Sequence, residues 1–310
     1  MRNASLLALV GAALLPGCAY MPQTAGGIRG VVADYVRPEL VREGFKFTEG
    51  PLGTRDGGLY FTELRDAQRI YRVDPGGNIS VFREKSNNTN GLAYTPAGEL
   101  VGVEGLGKRV SRIAADGSST QISAGDGKQP LMAPNDLIAD AKGGIYFTDP
   151  GPPPAVAGRK AYVYYLPPGS QQAIVVDDSI VRPNGLTLTL DYKTLIVDDT
   201  VGDVLFAFDV QADGTLANKR PFIKLQDIPA GTNSGADGMA IDRDGRIYVT
   251  TITGVQVFDR RAQYLGNIRL PRKPSNLAFS GPGKQVLYIT AQEAVYRLPV
   301  LTAGPDRLGK

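Results

Sequence analysis

The sequence predicts an all-β fold: a six-bladed β-propeller of four-stranded blades, its ring closed by an N-terminal strand. Three observations carry that prediction. One short pattern recurs six times, opened by Glu49, Asn90, Asn135, Asn184, Asp237 and Asn276 and followed ten or eleven residues later by an apolar run such as Leu59-Tyr60-Phe61-Thr62 or Ile145-Tyr146-Phe147-Thr148. The openings stand 39 to 53 residues apart, inside or near the period of a blade copied around an axis. Turn chemistry separates the runs at fixed places, as in Arg55-Asp56-Gly57-Gly58, Thr95-Pro96-Ala97-Gly98 and Asp242-Arg243-Asp244-Gly245, supplying residues that accept the positive φ of tight hairpins. Finally, 38 Gly and 22 Pro in 310 residues, with 42% hydrophobic residues, describe a turn-rich chain with enough apolar material for a core.

Taken from the N-terminus, Arg2 precedes an apolar run from Leu6 to Leu15 and then Pro16-Gly17-Cys18. Such a run is too short to span a bilayer as a helix and fits a secretory signal instead. Leu-Pro-Gly-Cys resembles a bacterial lipoprotein processing site, so residues 1–17 are expected to be a signal peptide, Cys18 to be acylated, and residues 18–30 to form a flexible tether. The expected location is the cell envelope, with the membrane touched only through the lipid anchor.

Residues 31–310 form the expected propeller domain. In each unit the opening residue starts the innermost strand, and the apolar run returns antiparallel as the second. A third strand follows, as in Tyr162 to Leu166, and a weaker fourth. The sixth unit runs out after Leu298, so its fourth strand must come from Val31 to Phe47, where Glu43 to Phe47 is strand-like; closure of this kind removes exposed sheet edges. The third unit carries an insertion, Gly151 to Gly158, read as a stiff surface loop or as a lid over the channel mouth.

Inner strands of a propeller line its channel, so the six opening residues should meet at one mouth. Glu49 and Asp237 bring two carboxylates, and the asparagines bring neutral carbonyl oxygens. The chain has no histidine and one cysteine, Cys18, which excludes imidazole triads, histidine or cysteine metal centres and internal disulfides. An oxygen-only set suits a hard divalent cation, Ca2+ best, although other divalent cations are possible. Asn-Gly is also good turn chemistry, and that reading stays open beside the metal one. The second strands return to the same mouth and end in Glu63, Glu104, Asp149, Asp198 and Asp199, a second ring able to orient the amides or bind substrate hydroxyls. The net charge of +3 is spread along the chain; Arg269, Arg272 and Lys273 read as solvated surface, and no nucleic-acid partner is expected.

Thr48-Glu49-Gly50-Pro51, Pro134-Asn135-Asp136-Leu137 with Tyr146-Phe147-Thr148-Asp149-Pro150, Arg182-Pro183-Asn184-Gly185-Leu186, and Ala236-Asp237-Gly238-Met239-Ala240-Ile241-Asp242 together resemble the family of senescence marker protein (regucalcin), gluconolactonase and luciferin-regenerating enzyme. The likeness runs from about Glu43 to Leu298. It implies a six-bladed propeller with one catalytic divalent cation, usually calcium, held by Glu49, Asn135, Asn184 and Asp237. It also implies that Asn135 faces substrate and that Asp237 is general base or nucleophile. Glu104 and Asp149 are further candidates for substrate contact; Asn90 and Asn276 match no ligand position of the family. Where bacterial gluconolactonases often read Glu-His-Gly followed by Arg-Arg-Val, this chain has Glu104-Gly105-Leu106-Gly107-Lys108-Arg109-Val110, a departure that bears on sugar-lactone specificity. The implied activity is calcium-dependent hydrolysis of a small lactone or ester. The alternatives are a non-catalytic envelope binding protein and a metal-dependent phosphotriester hydrolase.

Overall fold

The computed structural model describes residues 27–153 and 157–307. Twenty-four strands pair into six antiparallel four-stranded sheets, a six-bladed propeller. The inner strands are Thr48–Gly53, Thr89–Tyr94, Leu137–Ala139, Pro183–Leu188, Met239–Ile241 and Asn276–Ser280, and the blades are numbered one to six in that order. Both faces of every sheet except at its outer edge pack against a neighbour. Second strands are therefore buried end to end, as in Ile247–Thr251, where every residue is buried, instead of alternating as in a half-exposed sheet. The core is divided into six apolar clusters, one per blade interface: Leu52, Ile70, Leu92 and Ile113 join blades one and two, and Ile196, Leu205, Met239 and Val249 join four and five.

Ring closure comes from the N-terminus, as expected, but from an earlier segment than Glu43 to Phe47. The strand Glu39–Glu43 pairs antiparallel with Ala294–Pro299, Glu39 opposite Arg297 and Glu43 opposite Ala294. Gly44, with φ 99°, then ends it. Phe45 turns inward and meets Phe61 and Tyr71 edge-on, each at 5.2 Å between ring centroids. Ile28, which the sequence reading placed in the tether, is buried in the cluster between blades five and six together with Val31 and Val32. The signal peptide, Cys18 and the tether as far as residue 26 lie outside the described residues, as does the middle of the third-blade insertion.

The C-terminal tail crosses the channel end opposite the opening residues, over the hairpin turns that follow the inner strands. Ala303 O accepts Arg243 N at 2.9 Å in blade five, and Lys284 Nζ in blade six donates to Pro305 O at 2.6 Å. Arg307 reaches blade four, where its guanidinium donates to Leu188 O at 2.8 Å and Thr189 O at 3.1 Å and lies 4.9 Å from the Tyr192 ring centroid. Burial pushes Arg307 below the usual arginine range.

Candidate metal and active site

Strand register settles which opening residues are equivalent. Glu49, Asn90 and Asn184 are each the second residue of a six-residue inner strand. Asn135 and Asp237 immediately precede a residue that hydrogen-bonds across to the second strand: Thr148 N donates to Asp136 O and Thr250 N to Gly238 O. Leu277 opposite Ile289 matches Met239 opposite Val249 and Leu137 opposite Phe147. Counting back one residue aligns Asn276 with Gly238 and Asp136. Five opening residues therefore share one ring position. In blade six that position is Ser275, and Asn276 stands one place further along.

The residue after each ring position explains the narrowness of the mouth. It is glycine in blades one, two, four and five, because the next inner strand passes directly over it. A Cβ on Gly50 would lie 1.9 Å from Asn90 O, on Gly91 2.5 Å from Asp136 Oδ1, on Gly185 1.8 Å from Asp237 O, and on Gly238 2.1 Å from the Asn276 side chain. Of these only Gly50 has positive φ. The Asn-Gly pairs thus serve close approach of strands and form no turns.

Threonines on the second strands lock the ring. Thr62 Oγ1 donates to Asn90 O at 3.1 Å, Thr148 Oγ1 to Asn184 O at 2.7 Å and Thr250 Oγ1 to Ser275 O at 3.0 Å, each reaching the next blade. Blade four has Asp198 in this place: its Oδ2 would be 2.8 Å from a Cβ on Gly185, much as Thr62 Oγ1 would be 3.0 Å from one on Gly50. Asp198 is fully buried and accepts Gly185 N at 3.2 Å through Oδ1. Burial, then the carboxylates of Asp237, Asp136 and Asp199, push it well above the usual carboxylate range.

Glu49, Asn184 and Asp237 come together. Burial pushes the half-buried Asp237 upward and the charge of Glu49 adds to this, while Lys273 and the Asn184 amide act in the opposite direction. Glu49 is fixed through Oε2, which accepts Gly50 N at 2.9 Å and Asn276 Nδ2 at 3.0 Å. Asn276 Oδ1 in turn accepts Leu277 N at 2.9 Å. Asn135 joins the ring by register, and its backbone carbonyl accepts Gly91 N at 2.8 Å. Among the described residues no three Asp, Glu or Cys side chains gather as a metal site, so any cation here depends on amide oxygens. The amides are suited to it, since Asn184 Oδ1 is buried without a hydrogen-bond partner while its Nδ2 donates to Thr200 Oγ1 at 3.2 Å. An orphaned buried carbonyl oxygen costs about 1–3 kcal/mol, and a hard cation would relieve it.

The rest of the expected second ring has other partners. Glu104 is fully buried and spends both oxygens on Arg83 at 3.1 Å, Arg109 at 2.8 Å and Asn87 at 2.8 Å. Burial opposes its charge, but Arg109, Asn87 and Arg83 outweigh burial and hold it below the usual range. Asp149 accepts Met132 N at 2.7 Å and Ala133 N at 2.8 Å and so holds the loop before Asn135; burial nonetheless pushes it upward. Glu63 takes Lys46 N and Tyr71 Oη, and Asp199 takes Arg182 N. Glu104 and Asp149 thus help to shape the mouth through these partners. The sequence reading passed over Asp136 and the positioning role of Asn276, and it took Lys273, whose charge acts on Asp237, only as solvated surface. Setting Asn276-Leu277-Ala278 under Gly238-Met239-Ala240 and Asp136-Leu137-Ile138 would have revealed the shared place.

A family model described as an SMP-30/Gluconolactonase/LRE-like region matches residues 47–293. The chain belongs to that family. Within it, the chain is 24% identical over 297 residues to a gluconolactonase of Zymomonas mobilis, covering 86% of this chain and 82% of that one. It is 32% identical over 243 residues to the lactonase drp35 of Staphylococcus saprophyticus, covering 75% and 72%. Among solved structures, a gluconolactonase of Xanthomonas campestris superposes with a TM-score of 0.77 at 30% identity, covering 87% of this chain and 91% of that one. The family match spans all six inner strands in full, so the ring described above lies wholly inside it.

Proposed function

We propose that this protein is a calcium-dependent lactonase that opens a small lactone, such as an aldonolactone, to its hydroxy acid at the channel mouth. The observation that carries the reading is the oxygen-only ring of two carboxylates and buried amides, with the Asn184 carbonyl oxygen orphaned, in a chain of this family. Glu49, Asn135, Asn184 and Asp237 would hold the cation, whose two charges the two carboxylates neutralise. A bound divalent ion supplies Lewis-acid polarisation of the lactone carbonyl. Asp237 is the base: burial and the charge of Glu49 raise its proton affinity, and a ligated cation would lower it again. It takes a proton from water as the oxygen bonds to the carbonyl carbon, and returns it to the ring oxygen as the ring C–O bond breaks. Asn276 keeps Glu49 in place, and Asn135 is the candidate for contact with the substrate.

A panel of aldonolactones, aliphatic lactones and phosphotriesters, each assayed with calcium and with chelator, tests this. Chelator-sensitive lactone turnover lost in Asp237→Asn is expected; absence of turnover on every member would favour a binding protein. Single turnover in oxygen-18 water separates base from nucleophile, since label appearing in Asp237 requires direct attack by its carboxylate. We also propose export and lipid anchoring through Cys18, tested by palmitate labelling and globomycin-sensitive processing.

A further inference from the structure

The proposed ligand set leaves out one residue of the ring. Asn90 is the second residue of Thr89–Tyr94, as Glu49 is of Thr48–Gly53 and Asn184 of Pro183–Leu188. The three strands begin alike, with Thr48 opposite Glu63, Thr89 opposite Glu104 and Pro183 opposite Asp199, and each pairing ladder is irregular just beyond. The side chain of Asn90 therefore leaves its strand at the same height and on the same face as those of Glu49 and Asn184. Its backbone is pinned from blade one, because Thr62 Oγ1 donates to Asn90 O and Gly50 packs under that carbonyl.

Asn90 is nine-tenths buried, and its Oδ1 has no hydrogen-bond partner. Asn184 Oδ1, the amide oxygen assigned to the cation, is in the same state. Two equivalent amides with the same unmet acceptor point to one shared ligand. A donor hydrogen would satisfy either oxygen, yet no described residue supplies one. The carboxylates of Glu49 and Asp237 in the same ring mark the missing group as positive.

We propose that Asn90 supplies a fifth protein oxygen to the cation, beside Glu49, Asn135, Asn184 and Asp237, and that this count tilts the site toward calcium over magnesium. The inference rests on the reading of the ring as a cation site. Calcium accepts about six to eight oxygens in adjustable geometry, whereas magnesium takes about six in a near-octahedral shell and retains several waters. Five protein oxygens leave room on calcium for water and a substrate carbonyl, but nearly fill magnesium.

The test is calorimetric titration of the chelator-stripped full domain with calcium chloride and with magnesium chloride, comparing wild type, Asn90→Ala, Asn90→Asp and Asn184→Ala. Asn90→Ala should lose calcium affinity by about tenfold or more and magnesium affinity by less, while Asn90→Asp should bind calcium more tightly. Urea unfolding of each metal-free variant reports on the fold; should Asn90→Ala not fold, the Asn90→Asp result decides, with unchanged or weaker calcium binding overturning the proposal. Wild-type calcium affinity in Asn90→Ala, alongside a loss in Asn184→Ala, overturns the role of Asn90 and leaves the cation site standing. Failure of the wild-type protein to take up calcium overturns both.

Discussion

Replacing Gly185 by alanine probes the ring without touching any proposed ligand side chain. The new Cβ would lie 1.8 Å from Asp237 O, where real Cβ contacts essentially never fall under 3.0 Å, so the two strands must part by about 1.2 Å at that carbonyl. Gly185 does not have positive φ, so alanine costs nothing in backbone conformation and the collision dominates. Overpacking of this kind costs about 1–3 kcal/mol. Because the displaced carbonyl belongs to Asp237, the proposed base, a shift of that size is expected to lower lactone turnover on the order of 100-fold. Gly105→Ala is the control: it also lies at the mouth without positive φ, but its nearest contact would be 3.4 Å. Urea unfolding of the metal-free proteins, calcium titration and lactone turnover should all separate the two variants. If Gly185→Ala matches Gly105→Ala in stability and calcium affinity, the inner strands have slack and close approach does not set the ring.

Asn276→Ala removes the donor to Glu49 Oε2 and should weaken calcium binding about tenfold, as loss of a ligand-orienting partner does, read by calorimetry. Asp198→Asn tests the buried acid. Its folded-state proton affinity is raised, so the stability it contributes is complete below the unfolded carboxylate value of about 3.9 and is lost as pH rises through the folded value. The metal-free variant should therefore gain on wild type as pH rises, and a stability difference that does not change with pH would refute the assignment. Arg307→Ala strands two part-buried carbonyls, Leu188 O and Thr189 O, and should cost about 2–3 kcal/mol in urea unfolding with calcium affinity unchanged.

The fold and five ring positions were legible because a blade is a repeat, and the apolar run ten or eleven residues behind each ring residue gives its register away. What the sequence blurred was side-chain direction by single residues. Glu104, Asp149 and Asp199 stand at the ends of second strands, as expected, but alternation along a strand turns them toward the loops. The inward place belongs to Thr62, Thr148, Asp198, Thr250 and Thr290, whose hydroxyls bond carbonyls of the inner strands wherever the residue is threonine. Asp198 and Asp199 look equivalent in sequence, yet one lies among the central acids and the other caps Arg182 N at 3.1 Å. Asn276 was misplaced by one residue because Ser275-Asn276-Leu277-Ala278 imitates Thr89-Asn90-Gly91-Leu92 closely enough to hide the missing glycine.

That missing glycine organises the site. Of the six places after the ring position, four are glycines that bring neighbouring strands together, and two, Asp136 and Asn276, carry side chains three blades apart. At Asn276 the side chain reaches the next blade and holds Glu49. At Asp136 the carboxyl accepts Leu137 N at 2.9 Å and adds negative potential at both Asp198 and Asp237. One departure from glycine thus orients a carboxylate, and the other raises the proton affinity of the proposed base from a distance. Both follow from a ring so tight that a single side chain in a glycine place must act on its neighbour. Asp136→Asn should accordingly lower the pH at which Asp237 ionises, moving the acidic limb of lactone turnover downward, whereas an unmoved limb would assign that limb to another group.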